Sequence, residues 1–321
     1  WGSQKFPDPV DVLLNPITSW GDSILWHAGN KLIVDPTGNG NHKLQITSMS
    51  YNNVKGAPSE YPALYDACAT EVTSAIKHRC NRSEISYNSL SEGYKSAFSE
   101  GSVSWFAYEF TLDKIFDKTD CHDQNNTLGC YLFISQFHTS SASPVLSPNV
   151  SLLVQYKDNA SYVAKDKNKL MLRLQTKMDC SALQGSHSCI GSSNYQQNLS
   201  YSMDISEGKT YYIKMKIVRS SGLEGSVTAY ISDGVSGFVK FKEFTNGSSS
   251  GLQTLPENIA LTTQMGMYLG GQNYTVLRDK TKAGEQPISI TLDNIYLVTD
   301  SCQLPENIYL NQQEKDNCKS R

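Results

Sequence analysis

The chain has 321 residues, a formal net charge of −3 and a pI of about 6.1, which is enough length for one large β domain or two ordinary ones. No basic run stands out, which excludes the electrostatic footprint of a nucleic-acid binder. No apolar run approaches the ~18 residues of a membrane span, and the residues from Trp1 lack the charged and apolar regions of a secretion signal, so that a secreted protein would be represented here by its mature form.

Taken in chain order, residues 1–45 offer edge strands around 24–26 and 31–34. Residues 61–65 lead into 67–78, the one stretch whose pattern suits a short helix. From there the chain reads as β. Segments 103–112 (VSWFAYEFTL), 131–138 (YLFISQFH), 150–156 (VSLLVQY), 169–176 (KLMLRLQT), 210–219 (TYYIKMKIVR), 225–232 (GSVTAYIS), 265–269 and 288–298 (ISITLDNIYLV) alternate or are rich in β-branched and aromatic residues. Asp233-Gly234, Ser236-Gly237 and Asn246-Gly247 supply turns. Residues 139–148 and 191–202 read as long polar loops able to overhang a groove. Many strands without long intervening helices predict an all-β antiparallel sandwich, a concanavalin-like jelly roll with long disulfide-tied loops. With no repeat and no linker, residues 1–300 read as a single domain and 301–321 as a polar tail tethered by cysteines.

Eight cysteines fall in close pairs. Proximity suggests Cys68–Cys80, Cys121–Cys130, Cys180–Cys189 and Cys302–Cys318, although connectivity does not follow from sequence alone. No CxxC occurs, and His122 and His187 are not at zinc-finger spacing, so neither a metal nor a cofactor is expected. Sequons begin at Asn81, Asn125, Asn149, Asn159, Asn198, Asn246 and Asn273. Paired cysteines and sequons together imply a secreted, extracellular glycoprotein. Nothing in the sequence sets its oligomeric state.

Three short strings carry chemistry: Arg82-Ser83-Glu84, Gln136-Phe137-His138 and Gly266-Met267-Tyr268. Each sits in a strand-like stretch. Side chains on a strand alternate faces, so Arg82 and Glu84 share a face opposite Asn81 and Ser83, and Gln136 shares one with His138. By the same rule Leu170, Leu172 and Leu174 oppose Met171, Arg173 and Gln175, while Lys214 and Lys216 oppose Ile213, Met215 and Ile217. With the apolar faces packed between two sheets, the polar faces would line an exposed concave sheet suited to an anionic sugar chain.

These strings resemble those of the jelly-roll polysaccharide lyases, the group of alginate lyases, glucuronan lyases and heparin-lyase-like enzymes. Arg82-Ser83-Glu84-Ile85 is similar to that group's Arg-Ser/Thr-Glu-Leu strand, Gln136-Phe137-His138 to its Gln-x-His strand, and Gly266-Met267-Tyr268 to its late Gly-x-Tyr strand. Residues 208–218 (GKTYYIKMKIV) and 292–296 (LDNIY) resemble two further strands, so the likeness spans roughly residues 80 to 300. It implies β-elimination on a uronic-acid-containing anionic polysaccharide. Arg82, Gln136 and His138 would neutralise the substrate carboxylate and acidify the C5 proton. Tyr268 would be the general acid, with Tyr268 or His138 as base according to the stereochemistry of the uronate. A phenol of ordinary pKa about 10 needs nearby cations for that role. Glu84 would orient Arg82, and Glu84, Arg173, Lys214 and Lys216 would serve substrate binding.

The chain departs from the group at Gln264, where a lysine is usual, and at Thr262, where a tyrosine is usual, and Asn273 begins a sequon five residues after Tyr268. These departures suit a second reading: a non-catalytic extracellular glycoprotein that uses a lyase-like jelly roll for carbohydrate binding or for surface or fibrous assembly. Other chemistries lack their motifs, since no Gly-x-Ser-x-Gly, P-loop or His-Glu-x-x-His occurs. No paired acids alternate on one strand as a retaining glycosidase would need.

Overall fold

The structure, a computed structural model, describes residues 30–34, 42–47, 82–88, 99–115, 131–139, 150–156, 169–179, 196–245, 252–255, 261–270, 288–308 and 311–320. In chain order its strands are β1 (Asn30–Val34), β2 (His42–Thr47), β3 (Arg82–Asn88), β4 (Val103–Lys114), β5 (Tyr131–Thr139), β6 (Val150–Tyr156) and β7 (Leu170–Asp179). They continue with β8 (Gln196–Ile205), β9 (Thr210–Val218), β10 (Ser226–Ser232), β11 (Val239–Phe244), β12 (Leu261–Gly270) and β13 (Ser289–Val298). A seven-stranded sheet runs β1-β2-β13-β4-β9-β10-β11 and a six-stranded sheet runs β3-β12-β5-β6-β7-β8. Every strand pairing is antiparallel.

Period-two alternation builds the layer between the sheets. Phe106, Tyr108, Phe110 and Leu112 of β4 face Leu132, Ile134 and Phe137 of β5 and Leu170, Leu172 and Leu174 of β7 in one buried cluster. Ile213, Met215 and Ile217 of β9 and Val227, Ala229 and Ile231 of β10 extend it. Each such side chain contributes about 1.5–3 kcal/mol by leaving water. The Tyr108 hydroxyl and Ser135 Oγ form a polar bond across this layer at 2.9 Å, and burial pushes the Tyr108 phenol well above its ordinary range.

Several expectations need correction. Residues 196–205 form β8 rather than a polar loop. Leu199, Tyr201, Met203 and Ile205 do alternate there with Ser200, Ser202 and Asp204, but the polar run Gln196-Gln197-Asn198 before them dilutes the pattern. Both β2 and β11 are additional strands; β11 closes one edge with Lys240, Lys242 and Glu243, charges that discourage further pairing.

The tail is folded as well. After two short 3-10 turns, Ser301–Gln303 and Glu306–Ile308, it forms α1 (Gln312–Lys319). Asn311 caps α1 by accepting from the Glu314 amide at 2.9 Å, a cap legible in the spacing Asn-x-x-Glu. Leu304 and Ile308 pack on Ala107, Tyr296 and Val298 of the seven-stranded sheet, and a Cys302–Cys318 disulfide ties the two ends of the tail.

The other cysteines (Cys68, Cys80, Cys121, Cys130, Cys180, Cys189), the expected helix at 67–78 and the segment around 24–26 lie outside the described residues. So do the sequon residues Asn81, Asn125, Asn149, Asn159, Asn246 and Asn273. Asn198 lies on β8, where the backbone alone is described.

Candidate active site

Register brings the three strings onto neighbouring strands of the six-stranded sheet. Tyr268 of β12 pairs with Arg82 of β3 on one side and with Phe133 of β5 on the other. Phe133 pairs with Leu153 of β6, Leu153 with Arg173 of β7, and Arg173 with Ser202 of β8. A second row runs Ser86, Gln264, Gln136, Ser151, Gln175 and Ser200. In a third, Thr262 pairs with Asn88 and His138. For Arg82, Glu84, His138, Thr262 and Gln264 the structure describes the backbone alone.

The faces follow from what each neighbour touches. Met265 and Met267 lie in the inter-sheet core, so Tyr268 between strand partners faces outward, where it is half-buried. The pairing of β12 with β5 carries a bulge between Met265 and Tyr268, and Gly266 within it has φ 134°. Only glycine takes that conformation cheaply. A bulge of this kind re-aims the side chains beyond it, which here means the tyrosine.

Tyr268 lies flat on Phe133, with ring centroids 5.6 Å apart and planes at 16°. Phe133 in turn meets Tyr131 edge-on at 5.2 Å. Burial, reinforced by the neighbouring Tyr268, holds the Tyr131 phenol above its usual range. This aromatic strip was missed in the sequence, although Tyr131 and Phe133 stand at period two immediately before Gln136.

Gln136 lies between core-facing Phe137 and Ser135, the latter bonded to Tyr108, so it too points outward. It is nevertheless only 1% exposed. Ser151 and Leu153 beside it are also buried. The centre of the outer face is thus covered, whereas Tyr268, Arg173 and Gln175 are partly exposed.

Arg173 donates from Nη2 to Ser200 Oγ at 3.0 Å. Its Nε is buried without a hydrogen-bond partner among the described residues. Burial lowers the proton affinity of this guanidinium.

Lys214 and Lys216 do not join this surface. They belong to β9, on the outer face of the opposite sheet, because Ile213, Met215 and Ile217 take that strand's inner face. Lys214 is 0% exposed. Its Nζ meets Glu314 of α1 at 2.8 and 2.9 Å and the Ile308 carbonyl at 3.3 Å, and it sits 4.8 Å from the Trp105 ring centroid. Burial lowers the Lys214 pKa and Glu314 partly restores it. Lys216 lies over the same ring at 5.6 Å. Alternation had assigned the right face of the strand, but to the wrong sheet.

Among the described residues no group of three or more His, Cys, Asp or Glu side chains forms a metal site. No helix among them is long and apolar enough to cross a membrane.

The two-sheet sandwich with its β3-β12-β5 register has the fold of the jelly-roll polysaccharide lyases. Among solved structures it is similar to the endo-β-1,4-glucuronan lyase from the fungus Trichoderma reesei, at 10% identity and a TM-score of 0.51, over 90% of this chain and 94% of that one. The marine PL-14 alginate lyase from Aplysia kurodai matches at 12% identity and a TM-score of 0.46, over 94% and 98% of the two chains. An alginate lyase from Alteromonas sp. 272 matches at 11% and 0.40, over 84% and 93%. No protein-family model and no curated protein matches the sequence.

Proposed function

We propose that this protein is a secreted polysaccharide lyase that cleaves a uronic-acid polymer by β-elimination on the outer face of the six-stranded sheet. The observation that carries this reading is the register. Arg82 and Tyr268 are direct partners on adjacent strands, and Gln136 on the next strand pairs with Gln264, four residues before Tyr268, and lies two residues before His138. Arg82, Gln136, His138 and Tyr268 thus belong to three neighbouring strands of one sheet, and their residue types are those that elimination needs.

In the proposed reaction Arg82 and Gln136 bind the uronate carboxylate and draw charge from the ring, stabilising the carbanion-like state as it develops. His138 or Tyr268 takes the C5 proton. The C4–O glycosidic bond then breaks, the leaving oxygen receives a proton from Tyr268, and a C4=C5 double bond remains on the new non-reducing end. No water is consumed and no oxidant is required. The Cys302–Cys318 bridge supports an oxidising compartment.

The burial of Gln136 favours a second reading, a non-catalytic carbohydrate-binding glycoprotein, since a covered amide cannot meet a polymer without movement above it. Incubation with glucuronan, alginate and glycosaminoglycans separates the two. The lyase generates ultraviolet-absorbing unsaturated ends, and the binding protein retains the same polymers intact.

A further inference from the structure

Elimination needs a base at C5 and an acid at the leaving oxygen, and the register keeps His138 away from Tyr268. His138 lies five residues beyond Phe133 on β5, about 17 Å along an extended strand, whereas Phe133 is the direct partner of Tyr268. A single pyranose cannot touch both groups. A second proton-transfer group at the Tyr268 end of the sheet therefore has to come from the residues around Tyr268 itself.

Tyr131 is that group. Phe133 stands opposite Tyr268, and Tyr131, two residues earlier on the same strand, stands opposite Gly270. Tyr131 is thus the diagonal neighbour of Tyr268, roughly 7–8 Å away between backbones and within reach for aromatic side chains. Gly270 leaves the space between the two phenols free of a side chain from its own position on β12. Leu132 enters the core, so Tyr131, like Phe133, belongs to the outer face. Both tyrosines touch one ring: Tyr268 lies flat on Phe133 at 5.6 Å, and Tyr131 meets it edge-on at 5.2 Å with planes at 80°. Phe133 is 8% exposed while both tyrosines are partly exposed. The phenols, and not the ring they share, meet the solvent.

Electrostatics separate the two roles. Burial, reinforced by the neighbouring Tyr268, holds the Tyr131 phenol above its usual range, so Tyr131 keeps its proton when the pair carries one negative charge. Arg82, the register partner of Tyr268 on β3, is the cation of that row. Two like groups that their surroundings set apart in this way divide acid from base. A phenol is still a far stronger acid than the sugar alkoxide it would protonate.

We propose that Tyr131 is the general acid of the elimination and Tyr268, as phenolate, its base, an assignment that rests on the lyase reading. Tyr268 takes the C5 proton, the electrons of that C–H bond form the C4=C5 double bond, and the C4–O bond breaks. The leaving oxygen takes the phenolic proton of Tyr131, which relieves Tyr268 of the second of the two transfers it would otherwise perform alone. The pair holds one negative charge before and after, and passage of the new proton from Tyr268 to the Tyr131 phenolate restores the starting state.

The leaving group provides the test. Tyr131→Phe keeps the contact with Phe133 and removes the proton. Rates are measured on glucuronan or alginate, whichever the wild type cleaves, and on a uronoside of the same sugar carrying 2,4-dinitrophenolate at C4, which departs without a proton. Tyr131→Phe is expected to lose about 10²-fold or more on the polymer and to stay near the wild-type rate on the activated substrate, a rate that also shows the variant to be folded. Tyr268→Phe should lose both. Equal loss on the two substrates with Tyr131→Phe, or loss on neither, overturns the assignment while leaving the lyase reading intact. Absence of unsaturated product from wild-type protein with every substrate removes the lyase reading, and the assignment with it.

Discussion

Tyr268 is held by Phe133: their rings stack at 5.6 Å, and the two residues are register partners on β12 and β5. The phenol assigned to proton transfer therefore has its position fixed by an aromatic side chain that itself has no chemistry. Replacing Tyr268 by Phe keeps the stack and removes the hydroxyl. Lyase activity should fall by about 10²–10⁴-fold with an unchanged melting temperature, whereas Tyr268→Ala should lower stability as well by removing a pair worth about 0.5–1.5 kcal/mol. Steady-state rates and thermal melts on the two variants distinguish the contributions.

Gly266 lies in the bulge before this tyrosine with φ 134°. A Cβ at that position forces the backbone into a region that costs about 1–3 kcal/mol, and relaxation would turn Tyr268 away from Phe133. Gly266→Ala should thus lose activity out of proportion to its stability. A variant with full activity and an unaltered melt would contradict the bulge as the aiming device.

Lys214 and Glu314 form a buried pair that joins α1 to the seven-stranded sheet. Glu314→Gln leaves a desolvated ammonium without its partner and should cost about 3–5 kcal/mol. The pH dependence has a definite sign. Burial puts the folded pKa of Lys214 below its ordinary 10.5, so the unfolded chain binds more protons over that interval and stability rises with pH. With Glu314 removed the folded pKa drops further, so the rise should start at lower pH and be larger than in wild type. Denaturant melts of both proteins between neutral and alkaline pH measure this directly, and parallel curves would count against the pair.

The Cys302–Cys318 bridge closes a tail of sequence separation 16. Its removal should destabilise the docked tail by about 3 kcal/mol and further expose Trp105, which packs against the cluster that includes Leu304 and Ile308. Comparison of Cys302→Ser/Cys318→Ser with the same double variant carrying Trp105→Phe, by iodide quenching of tryptophan fluorescence, isolates that exposure. Lyase rates should remain near wild type, because the tail covers the sheet opposite the candidate site.

Much of this arrangement could be read from local pattern. The alternation of Leu170, Leu172 and Leu174 against Arg173 and Gln175 is that of β7, and the three strings lie on strands as expected. What alternation cannot supply is the sheet a strand joins, since strand order is set by contacts distant in sequence. Lys214 and Lys216 were placed on the wrong surface for that reason. The covering of Gln136 has a similar origin: it depends on what lies over the sheet, not on the period of β5. The Asn311 cap and the apolar pair Leu304 and Ile308 did announce a folded tail, but the polar residues around them outweighed it.

The central claim is that the row containing Arg82 and Tyr268 performs elimination. Its most direct test is the ultraviolet absorbance that appears when purified protein is incubated with glucuronan or alginate, run beside Arg82→Ala and Tyr268→Phe proteins shown to be folded. The account predicts that unsaturated ends accumulate with wild type on at least one polyuronate and that both variants are silent. No absorbance with any polyuronate, or equal absorbance from all three proteins, would contradict it.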